Sequence, residues 1–306
     1  MERVALVTGG TGFVGSNLCR KLVQVGWTVH IIAIPNDNYS LLNDIKERIT
    51  IHIHDERPSC MDSIMANTKP DIVFHLASLF LSQHTSNDIE RLIVSNVLFG
   101  TQLLDAMTAQ GITKIVNTGT SWQHYENKPY SPVNLYAATK QAFEDIMQYY
   151  VEVERISAIT LKLFDTYGPG DPRPKLMNLL LNTAHTGQLL LMSPGAQFID
   201  LVHVDDVVNA YLMASDYLYM RANCGHDVFA VTTGQFVSLK NFVALFEKAA
   251  HKKLNIKWDA RPYRSREVMN PWEEGKCLPG WQPSVSLKDG VAELIDMFRK
   301  KEECDF

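Results

Sequence analysis

Thr8-Gly9-Gly10-Thr11-Gly12-Phe13-Val14-Gly15 lies between an apolar run, Val4-Ala5-Leu6-Val7, and a helical pattern over residues 14–25 that Gly26 ends. Glycines permit a tight turn and close approach to the backbone. A helix start offers unpaired N–H donors and the positive end of the helix dipole. Strand, glycine turn and helix in that order cradle a pyrophosphate. A glycine motif alone is a weak signal, and its position between strand and helix makes it specific. Gly9 and Gly12 are therefore candidate contacts of a dinucleotide.

Working outward, short β-rich runs alternate with longer helical patterns. Strands are expected at 28–34, 49–53, 71–76, 112–117 and 158–163, with helices at 89–110 and 135–153. That alternation predicts an α/β protein with a Rossmann-type doubly wound parallel sheet. A turn-rich loop, Tyr167-Gly168-Pro169-Gly170-Asp171-Pro172-Arg173-Pro174, breaks the pattern. Beyond it, helices are expected at 176–186, 205–215, 239–248 and 287–300, with a short strand at 198–202. Residues 1–168 read as the dinucleotide-binding domain, with strand and helix returning near 198–215. Residues 169–306 read mainly as a smaller C-terminal α/β substrate lobe.

The second strand ends Ile31-Ile32-Ala33-Ile34-Pro35-Asn36. NAD sites usually place Asp or Glu there to bond the ribose hydroxyls. Without one, a 2′-phosphate meets no repulsion, which favours NADP(H) over NAD(H). No Arg follows to bind that phosphate. Asn36 and Ser40 are candidate donors, or caps of their own loop.

The 306 residues carry a net charge of -5, and no Lys/Arg run stands out, so nucleic acid is not an expected partner. The opening apolar run is too short for a secretory leader, and no apolar segment reads as long enough to span a bilayer. Five scattered cysteines (Cys19, Cys60, Cys224, Cys277 and Cys304) show no C-x-x-C. They read as reduced thiols of a cytoplasmic protein, with no metal site.

Tyr136 and Lys140 are four apart in a helical stretch and share a face. A nearby ammonium favours the phenolate and lowers a tyrosine's pKa from the usual ~10 toward neutrality. Thr120, at the end of the preceding strand, can hydrogen-bond the same substrate oxygen. Hydroxyl, Tyr and Lys beside a dinucleotide suggest proton transfer coupled to hydride transfer.

At these motifs the chain resembles the extended short-chain dehydrogenases/reductases, the NAD-dependent epimerase/dehydratase group acting on nucleotide sugars. The likeness runs through Asp71-Ile72-Val73-Phe74-His75-Leu76-Ala77, the Asn96 of Ser95-Asn96-Val97, and Leu163-Phe164-Asp165-Thr166-Tyr167-Gly168-Pro169-Gly170. It continues in Phe198-Ile199-Asp200-Leu201-Val202-His203-Val204-Asp205-Asp206. The resemblance implies cofactor contacts at Phe13, Val14, Asp55, Leu76, Ala77, Thr118 and Phe164, together with Tyr136 and Lys140. It implies substrate contacts at Ser78, Ser121, Trp122, Asp165 and Leu176, a nucleotide-diphosphate sugar as substrate, and a homodimer built through helices 89–110 and 135–153. Ile199 stands where many members have an Arg for the substrate's phosphates. Lys175, Arg264 and Arg266 are the candidates to replace it, or are ordinary surface charge.

Members that dehydrate hexoses follow the catalytic hydroxyl residue with Asp and Glu. Here Ser121 and Trp122 follow Thr120, and neither is a carboxyl acid or base. What remains is reduction of a 4-keto sugar by NADPH, or 4-epimerisation on a tightly held NAD. A silent NADP-binding regulator is the non-enzymatic alternative. Asn134–Glu144, the Asp165 segment and Lys276-Cys277-Leu278-Pro279-Gly280-Trp281 are similar to the bacterial nucleotide-deoxysugar 4-ketoreductases, the branch of the CDP-abequose and CDP-paratose synthases. That branch serves surface-polysaccharide biosynthesis, including lipopolysaccharide. Trp122 either walls the sugar or packs in the core.

Overall fold

The computed structural model describes residues 3–304; Met1, Glu2, Asp305 and Phe306 lie outside that description, as do the side chains of residues 301–304, Cys304 among them. The elements in chain order are β1 (Val4–Thr8), α1 (Phe13–Gln24), β2 (Thr28–Ala33), β3 (Ile49–Ile53), α2 (Pro58–Thr68), β4 (Ile72–His75) and α3 (Ile89–Ile93). A π turn, Val94–Leu98, links α3 to α4 (Phe99–Ala109), and β5 (Lys114–Thr120), α5 (Leu135–Val153), β6 (Ser157–Leu163), β7 (Asp165–Tyr167) and α6 (Leu176–Thr186) follow. The remainder is β8 (Leu190–Leu191), β9 (Phe198–Ile199), β10 (Leu201–His203), α7 (Val204–Met220), β11 (Gly225–Val231), β12 (Val237–Ser238), α8 (Leu239–Ala250), β13 (Ile256–Lys257) and α9 (Leu287–Cys304).

Seven parallel strands form the main sheet in the order β11-β6-β5-β4-β1-β2-β3. The order reverses between β1 and β4, the switch point at whose carboxyl ends such sheets bind ligands. β4 is buried along its whole length, as a parallel strand covered on both faces must be. One face packs on α1 and α7 through Leu18, Leu22, Val207 and Tyr211. The other packs on α2, α4 and α5 through Met61, Leu103, Met107, Phe143 and Met147. A third cluster joins α6, α8 and α9 through Leu180, Phe242, Phe246 and Leu294.

Local chemistry explains the element ends. Pro58 opens α2, where its fixed φ is already helical. The Asn134 side chain accepts from the Ala137 N–H and caps α5. Gly187, at φ 70°, ends α6 in the left-handed conformation.

Several findings depart from expectation, among them α2, for which the sequence reading expected no helix. β11 completes the main sheet from far along the chain. The strand expected at 198–202 is split at Asp200: β9 pairs with β12, and β10 with β7. The inward turn satisfies the buried Asp200 carboxylate with the Thr232 and Thr233 hydroxyls. Finally, Ser86–Ala109 is, by length and composition, apolar enough to cross a membrane, with 39% of the window buried. The sequence reading missed it because its apolar residues divide between two sides: Leu92, Leu103, Leu104 and Met107 are buried, while Ile89, Ile93, Val94 and Leu98 are exposed.

Candidate active site

The glycine turn sits at the switch point. The Gly12 N–H donates to the Gly9 carbonyl at 3.1 Å. A Cβ on Gly15 would lie 2.1 Å from the Gly9 oxygen, and one on Gly9 would lie 2.6 Å from the Ala77 nitrogen. Gly9 also holds φ 70°. These glycines let the start of α1 abut the ends of β1 and β4. α1 has no side-chain cap and no acidic residue in its first turn. That helix start fits an anionic pyrophosphate.

The expected cofactor contacts meet at this sheet edge with different degrees of freedom. The Ala77 N–H donates to Thr8 Oγ1 at 3.1 Å, and Leu76 abuts Gly9. Phe164 is buried and reaches the neighbouring cavity. Asn36 is exposed, with a left-handed φ of 64°. The side chains of the other expected contacts are engaged within the protein itself. Phe13 is a core residue, its ring covered by the Arg173 guanidinium at 4.7 Å, and Val14 packs against the same core. Thr118 Oγ1 donates to the His75 carbonyl at 2.8 Å and shares a 2.6 Å bond with the Tyr211 hydroxyl, because a buried hydroxyl needs partners. Asp55 lies just past β3, and its carboxylate is taken by Arg57.

Asp37 was missed. No carboxylate stands at the end of β2, but the turn after it returns the Asp37 carboxylate to the glycine loop, where it accepts from Thr11 Oγ1 at 2.8 Å.

Tyr136 and Lys140 lie one turn apart on the buried face of α5. Asn96, in the π turn, accepts from the Leu79 N–H at 2.7 Å and donates to Thr139 Oγ1 at 3.0 Å, tying the 78–79 segment to α5. Thr120 ends β5 and accepts from the Trp122 N–H at 3.3 Å, leaving its own proton to donate. Lys140 is brought down to about 8 by burial, with the Glu144 charge opposing. The expected lowering of Tyr136 is not what the surroundings produce. Burial pushes its hydroxyl up to about 12, against a hydrogen bond from Ser78 and the charge of Arg173.

Beside these groups is a cavity lined by Ser121, Trp122, Asp165, Leu176, Gln197 and Arg264, among others. Trp122 is a wall of that cavity. Its ring lies 5.6 Å from Phe80, which is set edge-on to Tyr136 at 5.0 Å. The Arg264 guanidinium lies 5.3 Å from the Trp122 ring and bonds Glu267. The Lys175 ammonium is 3.7 Å from the Asp165 carboxylate and lies over Phe80. Arg266 does not line the cavity. Its guanidinium lies 4.2 Å over Tyr125 and donates to Ser131 Oγ. Phe80, Arg173, His124 and Trp272 were not singled out in the sequence. They come from loops or turns and show no periodicity.

A dinucleotide cradle at a switch point and a buried Tyr–Lys pair beside a cavity define a nicotinamide-dependent class of protein. The chain belongs to the NAD dependent epimerase/dehydratase family, whose model matches residues 5–223. It is 27% identical over 300 residues to a CDP-abequose synthase of Salmonella muenchen, across 97% of this chain and 98% of that protein. It is 26% identical over 324 residues to a UDP-glucose 4-epimerase of Mycolicibacterium smegmatis, across 97% and 99%. The structure of UDP-glucose 4-epimerase with UDP-glucose from Thermotoga maritima superposes with a TM-score of 0.85 at 22% identity, covering 98% of this chain and 99% of that one. At that identity the likeness is one of fold.

Proposed function

We propose that this protein reduces the C4 keto group of a nucleotide-activated deoxyhexose with NADPH, in the cytoplasm, for surface-polysaccharide synthesis. The substrate's nucleotide and sugar would lie across the cavity and the lobe of residues 169–306. The observation that carries the reading is Tyr136. It lies on the buried face of α5 one turn from Lys140 and edge-on to Phe80, which meets the cavity wall Trp122, so its hydroxyl is placed to deliver a proton to an incoming alkoxide. Dehydration is disfavoured because the cavity offers no uncommitted carboxylate among the described residues. Asp165 faces Lys175, Asp200 is bonded by Thr232 and Thr233, and Glu267 by Arg264.

Gly9, Gly12, Leu76 and Ala77 would hold the cofactor, which when bound supplies a hydride to the carbonyl carbon. Tyr136 donates its proton to the C4 oxygen, and the Thr120 hydroxyl bonds the same oxygen and fixes its orientation. Lys140, as a cation, would hold the nicotinamide ribose and favour the phenolate that Tyr136 becomes. Trp122 and Phe80 wall the sugar and exclude water. Arg264, which lines the cavity, and Lys175, which faces the cavity's Asp165, would meet the substrate's phosphates. The test is absorbance loss of NADPH with a panel of nucleoside-diphosphate 4-keto-6-deoxyhexoses. Turnover with at least one supports the reading, and none with any rejects it.

One observation favours a second reading, a 4-epimerase with tightly held NAD. The Asp37 carboxylate at Thr11 suits ribose hydroxyls better than a 2′-phosphate. Interconversion of two nucleotide sugars without net cofactor use would identify it.

A homodimer belongs to the proposal. Ile89, Ile93 and Leu98 on the α3–α4 unit and Tyr149 and Val153 on α5 are exposed apolar side chains on neighbouring helices. A second copy packing through the same helices would cover them.

A further inference from the structure

Behind the Tyr–Lys face lies a buried polar chain that the proposed reaction does not use. Tyr136, Lys140 and Glu144 occupy successive turns of α5, and all three are buried. Glu144 faces Lys162 of β6 at 3.4 Å, with both side chains about 5% exposed or less. It also accepts from Gln123 Nε2 at 2.8 Å, while Gln123 Oε1 accepts from the Thr120 N–H at 2.9 Å. One carboxylate thus touches the helix that carries Tyr136 and Lys140 and, through one amide, the strand end that carries Thr120.

The chain continues outward. His124 Nδ1 lies 3.1 Å from the Lys128 carbonyl, so that nitrogen carries the proton. Nε2 then accepts from the Lys162 ammonium at 2.8 Å. The His124 ring stacks on Trp272 at 3.8 Å, and both rings line the substrate cavity. Gly119 makes room for the chain, since a Cβ there would lie 3.0 Å from Glu144 Oε1 and 2.9 Å from the Thr160 methyl.

We propose that Glu144 is a positioning residue: from the Glu144–Lys162–His124 chain it keeps Lys140 a cation and, through Gln123, fixes Thr120. Burial disfavours the Lys140 ammonium, and Glu144 is the charge that opposes this. The other groups facing the chain are His75 of β4, whose ring stays neutral beside Lys140, and Asp145 and His226 beside Lys162. None of these supplies a second buried anion next to Lys140. The inference rests on the proposed reductase chemistry for its activity readout.

The experiment measures kcat/KM against pH, and the Kd for NADPH against pH, in wild type, Glu144→Gln and the double variant Glu144→Gln/Lys162→Met. Glutamine keeps the bond to Gln123 and removes the charge. The double variant also removes the ammonium that the single change leaves buried without its counter-charge. The expected result is an alkaline limb moved toward acid by about one pH unit in both variants, with activity near wild type at the acid end of the profile. A fall by the same factor at every pH, or a wild-type limb in the double variant, overturns the inference. If wild type turns over no 4-keto sugar, the reaction assignment has failed. The pH dependence of NADPH binding then still decides the role of Glu144, because the limb must shift there as well.

Discussion

Gly15→Ala puts the cradle to a physical test. The added methyl would sit 2.1 Å from the Gly9 carbonyl oxygen, 2.8 Å from its carbon and 2.9 Å from the Gly10 Cα. All three are backbone atoms, so no side chain can swing aside and the loop must move by about 1 Å. Overpacking of this kind costs about 1–3 kcal/mol. Displacing Gly9 also loosens its 3.1 Å bond from the Gly12 N–H, worth about 1 kcal/mol. Together the two cost about 2–4 kcal/mol, which for a chain of this size lowers Tm by roughly 3–6 °C. Gly12→Ala is the control, because its methyl meets only the Gly9 oxygen, at 3.3 Å. It should melt within about 2 °C of wild type, as mild surface-like changes do. Both should weaken NADPH binding by at least about tenfold, one by moving the cradle and the other by filling it. Thermal melting with and without NADPH, and fluorescence titration of the cofactor, provide the numbers. A Gly15→Ala protein that melts and binds NADPH like wild type would refute the packing account.

Tyr136→Phe should keep the fold and lose turnover by about 100-fold or more, the usual contribution of a general acid; wild-type rates would remove Tyr136 from the chemistry. Asp37→Asn should raise the preference for NADPH over NADH by about tenfold, since one carboxylate no longer opposes the 2′-phosphate. An unchanged ratio of Kd values would show that Asp37 does not face the adenosine end. Stability should fall in mild acid. Burial pushes His75 down to about 3 and His124 and His226 to about 4. Their folded pKa values lie below the unfolded ~6.5, so their contribution is full above that pH and is lost as pH falls toward 4. Three such protons give a slope of up to about 4 kcal/mol per pH unit, softened by Glu144 and Asp200, whose raised pKa values work the other way. Urea midpoints at pH 7 and pH 5 check this, and a midpoint that does not fall at pH 5 contradicts it. Leu98→Arg should elute from gel filtration at half the wild-type mass; an unchanged mass would mean that α3 and α4 do not carry the dimer.

The sheet and the Tyr136/Lys140 pair were legible because their signals are local. Alternating apolar runs mark strands, four-residue spacing marks a shared helix face, and the glycines mark a turn. What escaped reading depends on distant partners. β11 opens Gly225-His226-Asp227, a polar start whose burial is set by pairing with β6. α2 has only Met61, Ile64, Met65 and Thr68 buried, too few for a strong periodicity. Asp37 reaches Thr11 only because Asn36 adopts a left-handed φ. The four-residue spacing made the Tyr136/Lys140 neighbourhood readable, but the burial that raises the Tyr136 hydroxyl and the opposing charge of Arg173, from a distant loop, were not. Arg264 and Arg266 are two apart, yet one lines the cavity and the other lies on Tyr125.

The most direct test of the central claim follows the hydride itself. NADPH carrying deuterium at the transferred position of its nicotinamide is supplied with a nucleoside-diphosphate 4-keto-6-deoxyhexose, and the product sugar is examined by mass spectrometry and NMR. Reduction predicts one deuterium at C4 for each cofactor oxidised, and Tyr136→Phe should abolish the transfer. Interconversion of 4-epimers with no deuterium gained from the free cofactor would contradict the claim and establish the epimerase instead.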